Sequence, residues 1–172
     1  MKRLILLRHA KASAKDLERD FERPLARRGL AQMEAMAGYL ARHGAEGGLR
    51  PDLALVSPAA RTRETWALAG LGDVPTRYEP GIYEAETADL LRLVQTVDAG
   101  VGTLALVGHN PAFAELAGDL AGGAEGDEVD SFPTGALAVI DFTVGSWSEV
   151  GPGLGRLERF VTPASLGVAK DA

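Results

Sequence analysis

A layered α/β fold with a mostly parallel sheet covered on both faces is predicted by three features of this 172-residue sequence. Short continuous apolar runs occur at 3–7, at 53–56 ("LALV") and at 103–107 ("TLALV"), as strands buried on both faces require. Stretches of helical periodicity separate them, the alternation expected of a parallel sheet. Late in the chain, "ALAVIDFTV" and "GRLERFVT", joined by "GSWSEVGPG", read as an antiparallel pair closing the sheet. The expected architecture is a three-layer α/β/α sandwich.

Each element follows from its own signals. Between Ala26 and His43, Leu30, Met33, Ala37 and Leu40 recur at helical spacing, and Gly44 stops the helix. Further helices are expected at about 59–70, 87–98 and 111–121. Ser57 with Pro58, and Asn110 with Pro111, read as cap and first helical position of two of them. Residues 122–131 read as a loop, and 122–133 is the one segment suited to act as a lid. "GPGLG" at 151–155 leads into a strand and is read as a turn, not a dinucleotide fingerprint. One domain over 1–172 is expected, with a loose tail from about 163.

Composition narrows the chemistry. The net charge is −6 and no basic stripe or tail occurs, so neither nucleic acid nor an anionic membrane is an expected partner. Absence of cysteine removes disulfides, thiolate nucleophiles and thiolate metal sites. The three histidines lack ligand spacing, so no metal or other cofactor is expected. "MKRLILLRHAK" lacks a signal peptide's cleavage site and is too short to span a bilayer, which makes a cytoplasmic location the expectation.

All three buried strands run into residues that can do chemistry. The first ends in Arg8-His9, the second in "SPAARTRET", the third in "GHNP". Ligands of open parallel sheets bind beyond the carboxyl ends of the strands, so Arg8, His9, Arg61 and His109 are expected to converge there. Helix N-termini at the same edge favour an anion such as phosphate. Arginine holds a phosphoryl group but does not lose its proton, whereas a histidine kept neutral by cationic neighbours can attack phosphorus. His9 is the expected nucleophile, and His109 an expected donor to the phosphoryl oxygens. His43, in the last turn of a helix, is explained by capping.

These segments resemble the histidine phosphatase superfamily, of phosphoglycerate-mutase-like fold. "RHA" at 8–10 resembles its RHG signature with alanine in place of glycine. "LLRHAKAS", "DFERPLARRG" at 20–29, "LVSPAARTRET" at 55–65, "LVGHNP" at 106–111 and "FPTGALAVIDF" at 132–142 resemble, in order, the small SixA-type phosphohistidine phosphatases. The resemblance implies His9 as nucleophile, Arg8 and Arg61 as phosphate-binding arginines and His109 as second histidine. Arg63 competes with Arg61, but the "SPxxR" spacing favours Arg61. Around the pocket, Lys11 and Arg23 would add positive charge and Thr134 a hydroxyl, with Arg23 equally suited to fixing its loop. Glu84 in "IYEAE" is the candidate acid for the leaving group, with Glu86 close by.

The expected function is hydrolysis of phosphohistidine on a protein partner, through a covalent intermediate on His9 and with phosphate as product. Short connections leave the pocket open to such a side chain. The alternatives are a phosphatase acting on a small phosphomonoester or nucleotide-derived compound, and a phosphoprotein-binding module without turnover.

Overall fold

In the computed structural model, which describes residues 1–15 and 18–169, β1 (Lys2–Arg8) feeds two cores by simple alternation. Leu4 and Leu6 point into one core, Ile5 and Leu7 into the other, all almost fully buried. Successive strand side chains face opposite sides of a sheet, so an unbroken apolar run is what a strand between two layers needs. Each such leucine contributes about 1.5–3 kcal/mol relative to an exposed one.

The sheet has the order β3-β2-β4-β1-β5-β6. β2 (Leu53–Val56), β3 (Thr76–Tyr78) and β4 (Thr103–Gly108) run parallel with β1; β5 (Leu137–Phe142) is antiparallel to β1, and β6 (Gly155–Val161) to β5. Helices α1 (Arg27–His43) and α2 (Ala60–Leu68) supply Met33, Met36, Leu40 and Trp66 to one core. Helices α3 (Thr87–Gln95) and α4 (Ala112–Ala121) supply Leu90, Val94, Phe113 and Leu116 to the other. The three layers and the antiparallel end of the sheet are therefore as expected. At the far end from the strand tips, Arg3 on β1 clamps its cross-strand partner Asp141 on β5 by two hydrogen bonds of 2.7 and 2.8 Å.

Four local expectations are corrected. The buried face of α1 is Gly29, Gln32, Met33, Met36 and Leu40, while Leu30 is 49% exposed: the helix turns its small and flexible residues inward. Helices α2 and α4 take Ala59 and Pro111 as N-caps, which frees Ser57 and puts Pro111 just outside the helix. The segment 122–133 is no free lid: it forms α5 (Gly123–Glu128), then buries Val129 and Phe132 in the core. Its glycines hid the helix but also allow it, since a Cβ on Gly126 would lie 2.7 Å from the Gly118 carbonyl oxygen. Residues 163–169 are tied down as well, by a short 3-10 turn at Ala164–Leu166 and a hydrogen bond from the Val168 amide to the Pro163 carbonyl (2.9 Å); 170–172 lie outside the described residues. β3 has no apolar run because it is an edge strand with mostly exposed side chains.

Gly29 of "LARRG" holds the loop after β1 against α1. A Cβ there would stand 2.2 Å from the Lys11 carbonyl oxygen, a backbone atom that cannot swing aside. G29A is expected to cost about 1–3 kcal/mol through overpacking, read as a lower urea midpoint; an unchanged midpoint would refute this contact.

Candidate active site

Strand register brings the chemistry together. Val56 pairs with Val107 and Arg8 with Gly108, so the chain leaves β2, β4 and β1 at one level. The next residues are Ser57, His109 and His9. The Ser57 amide donates to the Val107 carbonyl and the His9 amide to the Gly108 carbonyl, both at 3.0 Å. From the other side comes the turn before β5, where the Gly135 amide donates to the carbonyls of Arg8 (3.2 Å) and His9 (3.0 Å). The rings of His9 and His109 end with centroids 5.3 Å apart.

Protonation of both rings follows from their surroundings. Nδ1 of His9 lies 2.7 Å from the Ala10 carbonyl oxygen, which can only accept, so Nδ1 carries the proton and Nε2 keeps its lone pair. Burial, and after it the charges of Arg8, Arg61 and Arg23, push the His9 pKa down to about 4 against the pull of the Ala10 bond. Burial, then His9 and Arg61, push His109 down to about 3. Nε2 of His109 lies 2.8 Å from the Ser57 hydroxyl, which accepts from the Ala59 amide at 3.4 Å and so has its proton free for the ring. With the hydroxyl donating to Nε2, the His109 proton sits on Nδ1.

The arginines flank this pair. Arg8 donates to the Phe132 carbonyl at 2.9 Å, an oxygen shared with the Asn110 side chain. Arg61, with its side chain only 8% exposed, donates to the carbonyl (2.8 Å) and carboxylate (3.2 Å) of Asp20. Arg63 is exposed on the surface of α2. The Nε atoms of Arg8 and Arg61 and Nδ1 of His109 are buried without a hydrogen-bond partner among the described residues. Three buried donors beside one lone pair make a site for an anion.

Asp20 and Tyr83 were not singled out by sequence reasoning. The Asp20 carboxylate accepts from the Tyr83 hydroxyl (2.6 Å), Arg61 and Arg23 (3.0 Å), which together hold its pKa down at about 2. It is therefore an anion at neutral pH and has no proton to give. The available signal was the spacing of Asp20 and Arg23 within "DFER", three residues apart. Tyr83 meets His109 edge to face at 5.7 Å, with the Arg61 guanidinium carbon 5.9 Å from its ring centre.

The outer residues divide. Arg23 anchors its loop, donating to Asp20 and to the Ser13 carbonyl at 2.9 Å, and its charge still reaches His9. Lys11 serves through its backbone, which binds the Gln32 side chain and the Ala26 amide, while its side chain is exposed. Thr134 accepts from Gln32 at 3.1 Å beside the Gly135 turn, keeping its own proton to donate. Glu84 makes no hydrogen bond or ion pair with the histidines among the described residues: it is exposed, in the left-handed region at φ 61°, and lines a surface cavity of about 490 Å³ with Tyr83, Arg92 and Thr96. Among the described residues no three histidine, cysteine or carboxylate side chains group so as to hold a metal ion, and no helix is long and apolar enough to cross a membrane.

The chain as a whole has relatives among known proteins. The family model of the histidine phosphatase superfamily (branch 1) matches residues 4–102. An uncharacterized protein of Mycobacterium tuberculosis is 34% identical over 163 residues, covering 91% of this chain and 99% of its own. Two solved structures, both provisionally named phosphohistidine phosphatase SixA, share the fold. That from Nakamurella multipartitia has a TM-score of 0.83 and 28% identity, covering 94% of this chain and 96% of its own. That from Agrobacterium tumefaciens has a TM-score of 0.77 and 34% identity, covering 94% and 98%. The chain belongs to the histidine phosphatase superfamily, and with it to the phosphate-releasing hydrolases. The matched span holds Arg8, His9 and Arg61 but ends before His109, whose membership in the site rests on geometry.

Burying two neutral histidines makes stability depend on pH in a definite direction. Between about pH 6.5 and 4 the unfolded chain takes up protons that folded His9 and His109 do not, so folding stability falls as pH drops through that window. Asp20 acts only lower, as pH approaches about 2. Urea unfolding at pH 7.5 and pH 5 should show the loss, and H109Q should shrink it; an equal loss in H109Q would refute the assignment.

Proposed function

We propose that this protein is a metal-independent phosphatase that removes phosphoryl groups from phosphohistidine on a protein partner, with His9 as the transient carrier. The observation that carries this reading is the set of unpartnered buried donors, Arg8 Nε, Arg61 Nε and His109 Nδ1, around an imidazole whose Nε2 is left with a lone pair. In the first step Nε2 of His9 forms a bond to phosphorus as the substrate's P–N bond breaks in line, and the departing imidazole keeps the electron pair. In the second, water attacks phosphorus, the bond to His9 breaks, and phosphate leaves with the water's oxygen. Arg8, Arg61 and His109 hold the phosphoryl oxygens through both steps.

The nature of the nearby carboxylate supports a phosphoramidate over an ester. An alkoxide needs a proton as it leaves, whereas imidazole departs readily, the more so when its ring is already protonated. Asp20, the carboxylate beside the histidines, is fastened as an anion, and Glu84 makes no contact with either histidine among the described residues. The relatives named for phosphohistidine cleavage point the same way.

Purified wild-type protein without added metal should release phosphate from a phosphohistidine peptide and become labelled with acid-labile phosphate at His9. H9A should lose both; turnover by H9A at the wild-type rate would overturn the mechanism. Binding without any label or release would identify a phosphate-recognition module instead. R61K should lower kcat/KM by roughly 10²-fold, in line with loss of an oxyanion donor, while R63K stays within about twofold. Equal losses in the two variants would remove Arg61 from the phosphate site.

A further inference from the structure

We infer that Phe21 and Tyr83 form the subsite that receives a flat aromatic leaving group, and so decide which phosphoramidates this site accepts. The inference rests on the phosphohistidine reading above and adds the residues that would recognise the imidazole.

A ladder of rings runs from the nucleophile to the surface. His9 and His109 lie 5.3 Å apart, Tyr83 meets His109 at 5.7 Å and 73°, and Phe21 meets Tyr83 at 5.1 Å and 87°. Burial rises inward along it: Phe21 is 42% exposed, Tyr83 half-buried, His9 buried. An exposed phenylalanine alone means little. This one belongs to neither core, yet its place is fastened, because the short turn Asp20–Glu22 that carries it is anchored by Asp20 to Arg61, Arg23 and Tyr83.

In-line displacement makes the leaving group depart on the side of phosphorus opposite His9 Nε2. From a buried nucleophile the leaving group must depart outward, and the rings of Tyr83 and Phe21 are the aromatic surface that the fold supplies between His109 and solvent. Imidazole is flat and π-bonded, so it can stack on or meet edge to face the rings of Phe21 and Tyr83, and while it still carries phosphorus with its other nitrogen protonated the cationic ring gains further from their faces. Ammonia leaving from phosphoramidate gains no ring contact. The subsite thus separates substrates by the leaving group and leaves phosphoryl binding to Arg8, Arg61 and His109.

The test compares phosphoimidazole with phosphoramidate, two small compounds that differ in the presence of a ring, by their ratio of kcat/KM. F21A should lower that ratio roughly three- to tenfold, the size of an aromatic pair, mainly through KM for phosphoimidazole. F21W should restore it. Y83F, which keeps the ring but drops the hydroxyl bond to Asp20, should hold the ratio within about twofold even where both rates fall. A ratio unchanged in F21A, or lost equally in F21W, overturns the subsite alone. Wild-type protein that cleaves neither compound overturns the phosphohistidine reading, and the subsite with it.

Discussion

The pairing of β1 with β4, parallel and in a register that sets Arg8 opposite Gly108, is the constraint on which the site depends. It delivers the two histidines, one residue beyond each strand, to ring contact although a hundred residues separate them in the chain. A slip of one residue would turn Leu4 and Leu6 toward the wrong core along with every other side chain of the strand, so packing enforces the alignment strongly. Arg3 and Asp141 add a second lock at the opposite end, between β1 and β5, and the turn at Gly135 then closes over the carbonyls of Arg8 and His9. The geometry of the candidate site is in this sense a by-product of core packing.

Electrostatics follow from the same placement. Burial makes the two imidazoles costly to protonate, and the cationic arginines beside them raise that cost further. Neutrality is what a nitrogen nucleophile requires, and the Ala10 carbonyl then selects which nitrogen is free. Ser57 does the corresponding service for His109. Asp20 relieves part of the crowding of positive charge, pairing with Arg61 and Arg23 while Tyr83 steadies it. The anionic aspartate thereby holds the wall of the pocket and the aromatic turn beside it.

Much of this design was legible before folding was considered. The apolar runs at 3–7, 53–56 and 103–107 identify strands between two layers, because only such strands tolerate side chains of one kind on both faces. Arg8, His9, Arg61 and His109 stand at their ends, where ligands of parallel sheets bind. β3 and α5 escaped notice for the opposite reason: an exposed three-residue edge strand and a six-residue glycine-rich helix owe their existence to neighbours, not to pattern. Glu84 is a candidate acid by residue type alone, because its position after Tyr83 says nothing of direction; in the fold it is exposed beside Arg92 and Thr96, without a contact to either histidine among the described residues.

What the amino-acid order determined by itself was the layer architecture, the strand ends and the kinds of side chain placed there, since these follow from local periodicity and residue chemistry. Which groups meet was decided only in three dimensions. The register of β1 and β4, the contact of His109 with Ser57, the fastening of Asp20 to Arg61 and Tyr83, and the ring ladder ending at Phe21 all join residues from separate elements. Such contacts depend on distances across the fold, and no local pattern encodes them.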